Sequence, residues 1–164
     1  MDNDKLILKP VMDSDVEQLE KWLYKDHVLR WYHDTDDWLK EVRERNGVFS
    51  FLNHFIVYKG YERIGFCQYY DCYDAKELWY SVENGGKVFS IDYLIGEEKY
   101  LQKGFGKQII KLLIDEIGKE KENFEIVVQP EDENTASNRT LLANGFVYDE
   151  MKKYYSLKIQ NASR

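Results

Sequence analysis

Between Lys87 and Ile117 a strand pattern, Lys87 to Ile95, enters a turn holding Gly96, Gly104 and Gly106 and leaves it as an amphipathic helix. The helix has an apolar face of Phe105, Ile109, Leu112, Leu113 and Ile117, with Ile110 and Ile114 beside it, and Gly118 supplies a stop. This segment commits the chain to a mixture of strand and helix. Gly104 and Gly106 let backbone N–H groups at a helix start approach an anion closely, and the helix dipole favours a pyrophosphate there. Lys103, Lys107 and Lys111 are spaced four apart, as on one helical face, within reach of further phosphate oxygens. The glycine pair lacks the third glycine of a dinucleotide-binding fingerprint and the Gly-Lys-Ser/Thr ending of a P-loop. Spacing alone therefore fits equally a helix that needs a tight entry and carries a solvated basic face.

The flanking sequence completes an α+β order. Lys5 to Lys9 reads as a strand stopped by Pro10, and Val16, Leu19, Trp22 and Leu23 recur at helical spacing up to about Lys25, behind a Ser14 and Glu17 capping box. Thr35 is placed to cap a second helix with Asp36 and Asp37 in its first turn. Those acids read either as dipole partners or as an acidic, aromatic lip with Trp31 and Tyr32 over a cleft for a polyamine. His54 to Lys59 and Arg63 to Tyr70 form a hairpin about Gly60, Glu77 to Glu83 reads as a third strand, and Asn84-Gly85-Gly86 turns the chain into Lys87 to Ile95. A strand at Glu125 to Gln129, a helix from Thr135 to Asn144 and a last strand from Phe146 to Leu157 follow. The expected architecture is a single domain over 1–164, a mixed but mostly antiparallel twisted sheet flanked by helices.

Charge narrows the partners. There are 30 Asp and Glu against 23 Lys and Arg, a net charge of −7, and no basic cluster to neutralise a nucleic acid. A cationic small partner fits better than a nucleic acid, although charge on its own is explained as well by solubility. Aromatic residues make up 15% of the chain, enough for a wet aromatic cleft as well as a core. Cys67 and Cys72 have no companions at metal-site spacing, His27, His33 and His54 are scattered, and no metal is expected. The beginning of the chain has no basic stretch followed by a long apolar run, and no segment approaches membrane-spanning length, so a cytoplasmic protein with reduced thiols is expected.

The order of chemically informative residues then acquires a resemblance. Asp92 lies in the strand before the glycine turn, Gln102 to Lys107 open the helix, and Asn134, Ser137, Asn138 and Arg139 precede Leu141, Leu142 and the pair Gly145-Phe146. This resembles the GCN5-related N-acetyltransferase (GNAT) family, with its Q/R-x-x-G-x-G/A turn and N-x-x-(A/S) helix ending in G-F. Within it the stretches Val28-Leu29-Arg30-Trp31-Tyr32, Ile64-Gly65-Phe66-Cys67-Gln68-Tyr69 and Ser90-Ile91-Asp92-Tyr93 are similar to those of aminoglycoside 6′-N-acetyltransferases. The departures are specific. Leu101 occupies the family's Q/R position, with Gln102 next to it, Leu141 stands where many members have a Tyr acid, and Gln129 replaces an acid before Pro130.

The resemblance implies an acetyl-CoA-dependent N-acetyltransferase, a monomer or homodimer, acting by direct transfer on a primary amine of a polycationic small molecule such as an aminoglycoside. Acetylation of peptide N-termini, and CoA binding without turnover, are the competing readings. The implied base is Asp92. The implied cofactor-binding set is Tyr93, Leu94, Ile95, Gln102, Lys103, Gly104, Phe105, Gly106, Lys107, Asn134, Ser137 and Leu141, with a backbone N–H of Tyr93 or Leu94 polarising the thioester carbonyl. Trp31, Tyr32, Asp36, Asp37, Asp92 and Gln129 are the implied substrate contacts. With Leu141 in place of the Tyr acid, protonation of the departing thiolate falls to water or another Tyr, or is unnecessary.

Overall fold

Alternation of apolar and polar residues at period two makes seven segments into strands with two different faces. The computed structural model describes residues 5–162 except 78 and 81. Its strands are β1 (Leu6–Pro10), β2 (Leu52–Lys59), β3 (Glu62–Asp71), β4 (Val88–Ile95), β5 (Phe124–Val128), β6 (Val147–Asp149) and β7 (Tyr154–Ile159). They form one sheet in the order β1-β2-β3-β4-β5-β7-β6. Every neighbouring pair is antiparallel except β4 with β5.

The helices are α1 (Val16–Leu23), α2 (Asp26–Leu29), α3 (Thr35–Arg43), α4 (Cys72–Ala75), α5 (Phe105–Gly118) and α6 (Thr135–Ala143). One face of the sheet sends Ile56, Phe66 and Leu94 against Leu19, Trp22, Leu23, Leu39 and Val42 of α1 and α3. The other sends Phe55, Cys67, Phe89 and Ile91 against Ile109, Ile110 and Leu113 of α5 and Leu141 of α6. Burial of these faces is the main stabilising term, at about 25 cal/mol per Å² of apolar surface.

Two glycines allow the tightest approaches. A Cβ on Gly65 would lie 2.4 Å from Leu94 O, and one on Gly96 would lie 2.2 Å from the Trp22 ring. The Trp22 indole, fully buried, lies flat against the end of β4 and donates through Nε1 to Glu97 Oε1 at 3.0 Å. Lys25 Nζ then bonds Gly96 O at 3.1 Å and Glu97 Oε2 at 3.3 Å. α1 is thus clamped to the exit of β4.

Several expectations are corrected. Ser14 and Glu17 form no capping box. Instead a 3₁₀ turn over Asp13–Asp15 precedes α1, and the Asp15 carboxylate accepts from Met12 N–H at 2.9 Å and pairs with Arg63 at 3.0 Å. Thr35 is the first residue of α3 and not its cap, a position held by Asp34. Glu77 to Glu83 adds no strand among the described residues, and residues 78 and 81 of that stretch lie outside them. α4 is instead the described element between β3 and β4, and Asp71 at the end of β3 accepts from Tyr73 N–H and Gly86 N–H. The last strand is a hairpin of β6 and β7, broken where Asp149 Oδ1 accepts from Met151 and Lys152 N–H. Pro10 closes β1 from within, and Lys103 lies in the turn before α5, leaving Lys107 and Lys111 on the helix.

Candidate active site

The parallel pair β4–β5 is short. Its register covers only Val88 with Glu125 and Phe89 with Ile126, after which the strands part. β4 continues to Ile95 with β3 on its other side. Gly96 N–H donates to Ile64 O at 2.8 Å, which by the alternation of an antiparallel ladder turns the amides of Asp92 and Leu94 toward β3. The backbone groups of Tyr93 and Ile95 therefore face the opening. Tyr32 hydroxyl donates to Tyr93 O, and His27 Nε2 bonds Ile95 O at 2.8 Å. Of the two amides expected to polarise a carbonyl, Leu94's is committed to the sheet, and its side chain is buried against α1.

At the end of this opening α5 begins. Gln102 and Gly104 both adopt positive φ, of 59° and 81°, and a side chain on Gly104 would meet open space. The first N–H groups of the helix, at Phe105, Gly106 and Lys107, have no earlier carbonyl to bond and point outward from the helix start. A Cβ on Gly106 would lie 3.2 Å from the Tyr93 ring, so glycine here lets β4 and α5 close together. Lys103 is exposed beside the turn, with Lys107 on the first turn of the helix. Opposite, Asn134 caps α6 by accepting from Ser137 N–H at 3.2 Å. This turn and cleft fit an extended ligand with a pyrophosphate and amide groups, as acetyl-CoA has.

Beyond the opening, a cavity of about 710 Å³ lies between the sheet, α3 and the start of α6. Asp34, Asp37, Glu41, Glu77, Asp92 and Glu131 contribute to its lining, and no Lys or Arg among the described residues does. Trp31, Tyr32, Trp38, Tyr70 and Trp79 supply aromatic faces. Glu77 accepts from Tyr70 hydroxyl at 2.9 Å and also from Trp79 Nε1. At the rim, His33 Nε2 and Glu131 Oε1 are 2.8 Å apart, joining the segment before α3 to the segment before α6.

Crowded carboxylates in a part-desolvated pocket resist ionisation. Burial, helped by Glu77 and opposed by a hydrogen bond from Gln68, pushes the Asp92 carboxyl up to about 6. Burial and the charges of Asp92, Asp37 and Glu77 push Glu41 up to about 7. Both groups hold their protons more tightly folded than unfolded, so their stabilising contribution is complete at low pH and is lost as pH rises through these values. Glu41→Gln removes the cost of ionising Glu41, and its melting temperature at pH 8 is expected to exceed that of the unaltered protein. The gain should shrink as pH falls and vanish below about pH 4, where Glu41 is neutral in the folded and the unfolded chain alike. An equal melting temperature at pH 8, measured by calorimetry, would contradict that electrostatic account.

The structure gathers most of the expected residues. Trp31, Tyr32, Asp37, Asp92 and Gln129 line the cavity together with Tyr93, Asn134, Ser137 and Leu141. Asp36 does not: it sits exposed on α3, on a different side from Asp37. Gln102, Lys103, Gly104, Phe105, Gly106 and Lys107 form the separate turn at α5, where the Phe105 side chain is in the core and only its backbone faces out. Gln129 donates to Lys153 O at 3.0 Å, which ties the end of β5 to the β6–β7 turn. Glu41, Glu77 and Glu131 went unread as site residues. Glu41 stands four after Asp37 and so shares its helix face, a signal present in the sequence. Glu77 was hidden by the strand assigned to its segment.

Comparison with known proteins agrees with this architecture. A family model described as an acetyltransferase (GNAT) domain matches residues 11–153. The chain belongs to the GNAT acetyltransferase family. Aminoglycoside N(6′)-acetyltransferases type 1 from Klebsiella pneumoniae and Serratia marcescens are each 25% identical over 150 residues, covering 88% of this chain and 75% of theirs. Among solved structures, an aminoglycoside acetyltransferase in complex with coenzyme A superposes with a TM-score of 0.79 at 20% identity, over 96% of both chains. A spermidine N-acetyltransferase from Vibrio cholerae in complex with CoA and spermine gives 0.72 at 12% identity, over 97% of this chain and 98% of that one. The protein is an acetyl-CoA-dependent N-acetyltransferase, with acetyl-CoA as cosubstrate. Among the described residues no helix is long and apolar enough to cross a membrane.

Proposed function

We propose that the chain acetylates a primary amine of a polycationic small molecule, with the 6′-amine of an aminoglycoside as the favoured acceptor, by direct transfer in a ternary complex. The observation that carries this is the cavity lining, with six carboxylates and no Lys or Arg among the described residues, against the open edge of β4. An amine at neutral pH is an ammonium ion, so a site must bind it as a cation and then take a proton before nitrogen can attack. Asp92 does both. Its raised proton affinity, near 6, suits a base that is ionised at pH 7 and still accepts a proton readily. Acetyl-CoA supplies an acyl group activated as a thioester. The Tyr93 N–H is placed to donate to the acyl oxygen, Ile95 lines the path of the pantetheine, and the α5 turn with Gln102, Lys103 and Lys107 receives the pyrophosphate. Trp31, Tyr32 and Asp37, with Glu41 and Glu131, hold the rest of the acceptor through aromatic faces and ammonium contacts. We take the chain to act as a single cytoplasmic domain, a monomer or homodimer without a nucleic-acid partner.

The test is thiol release from acetyl-CoA across aminoglycosides, spermidine and N-terminal peptides, with a control lacking acceptor. Release with 6′-amino aminoglycosides and none with 6′-hydroxyl analogues is expected. Equal release with both overturns the 6′ assignment. Release with peptides alone would replace a compact polycation with a chain terminus as acceptor.

A further inference from the structure

Three polar side chains cross the middle of the sheet in a row. His54 on β2 stands opposite Gln68 on β3, and Gln68 stands opposite Asp92 on β4. Residues so paired project from one face as near neighbours. Gln68 is 3% exposed and His54 6%. Gln68 Nε2 donates to Asp92 Oδ2 at 2.8 Å. Gln68 Oε1 and both His54 ring nitrogens are buried and have no hydrogen-bond partner among the described residues, although the pairing of β2 with β3 makes the two side chains neighbours, an acceptor and a donor each left open.

We propose that His54 is a positioning residue, whose ring N–H holds Gln68 Oε1 so that the amide presents its N–H to Asp92 and favours the ionised carboxylate. The inference rests on Asp92 being the base of the reaction proposed above.

The argument turns on which way an amide can face. An ionised carboxylate only accepts hydrogen bonds, whereas a protonated one can also donate. With nothing behind it, the Gln68 amide could present N–H to the ionised acid or, rotated, its oxygen to the protonated acid. A donor fixed at Oε1 removes the second option. His54 can be that donor because it stays neutral. Burial and the nearby Arg45 charge lower its proton affinity to about 4, so at pH 7 the ring carries one N–H and one lone pair. Phe66 lies against the imidazole at 5.5 Å between ring centroids. Arg45 is itself engaged by Val42 O and Asp13 Oδ1.

Asp92 is faced by Gln68 from β3 and Glu77 from beyond α4, and its charge is felt by Glu41 of α3, Tyr32 and Tyr70. All of these except Gln68 are acidic or aromatic. The Gln68 N–H is therefore the contact that counters burial and like charge, and its orientation has direct consequences for proton affinity.

His54→Phe keeps a ring and deletes the donor, while His54→Gln offers an amide N–H in its place. The readout is the titration midpoint of the Asp92 side-chain carboxyl, followed by ¹³C NMR in the protein without substrate and assigned with Asp92→Asn. His54→Phe is expected to raise the midpoint by roughly one pH unit or less, and His54→Gln to restore it. The acid limb of kcat/KM should move with the NMR midpoint. An unmoved midpoint in His54→Phe overturns the proposal, because a merely structural histidine would change stability alone. If His54→Phe does not fold, His54→Leu, which also lacks a ring N–H, takes its place: a raised midpoint there with an unchanged one in His54→Gln supports the proposal, and any other pair overturns it. The titration needs no turnover, so loss of the base assignment, seen as an unchanged rate in Asp92→Asn, is distinguishable from failure of the His54 contact.

Discussion

Asp92→Asn is expected to lower kcat by about 10²- to 10⁴-fold, the range a general base contributes, while acetyl-CoA affinity stays within a few-fold of the starting value. The asparagine keeps the side chain's size and can still meet Gln68, so the cavity should survive. What it loses is a site for the proton and a charge for the ammonium. In the unaltered enzyme, kcat/KM should fall as pH drops through about 6, because protonation of Asp92 removes the base. The sign follows from the carboxyl's being active only when ionised. Asp92→Asn should abolish that limb in the residual rate. A rate within three-fold of the starting enzyme would remove Asp92 from the chemistry, and isothermal titration with acetyl-CoA would show whether the fold of the cleft was intact.

Trp22→Ala is expected to destabilise the protein by about 3–5 kcal/mol, the range for deleting a large aromatic from a core. The indole is 0% exposed, packed with Leu19, Leu23 and Phe66, and it is the surface against which Gly96 lies. Removing it opens a void between α1 and the end of β4 and strips Glu97 of one donor. Urea unfolding followed by circular dichroism measures the loss. A change below 1 kcal/mol would mean that α1 contributes little to holding β4. Gly96 and Trp22 form a matched pair, so a methyl added at Gly96 should cost less in the Trp22→Ala background than in the original one.

Much of the fold was legible because its signals are local. The β2–β3 hairpin needed only alternating residues and Gly60, and α5 needed only its apolar face and the glycines before it. Glu77 to Glu83 misled because Trp79, Tyr80 and Val82 resemble strand residues, yet they pack as a small cluster with Cys72, Val88, Val127 and Tyr154. Their aromatic character reflects packing against the sheet, and local pattern cannot tell that from membership of it. Phe146 to Leu157 looked continuous because the turn at Asp149 to Lys153 has no glycine or proline. Lys153 instead takes the left-handed conformation, with φ of 62°. Of the site, Asp92 and Asp37 could be named in advance through the family resemblance, but Asp36, which spacing could not separate from Asp37, lies outside the cavity. The link from His54 through Gln68 could not, since it depends on the register of three strands, which no single stretch of sequence contains.

The two-residue contact between β4 and β5 also bears on how the molecule assembles. β1 to β4 meet only through antiparallel neighbours, and β5 to β7 make a second such group. Each group can zip from its own hairpin at low loop-closure cost, whereas the parallel joint must wait for α5 to carry the chain across. Thus the opening between β4 and β5 coincides with the seam between two folding units, and a ligand spanning both lips would tie them together, adding its binding free energy to a joint that backbone pairing leaves weak.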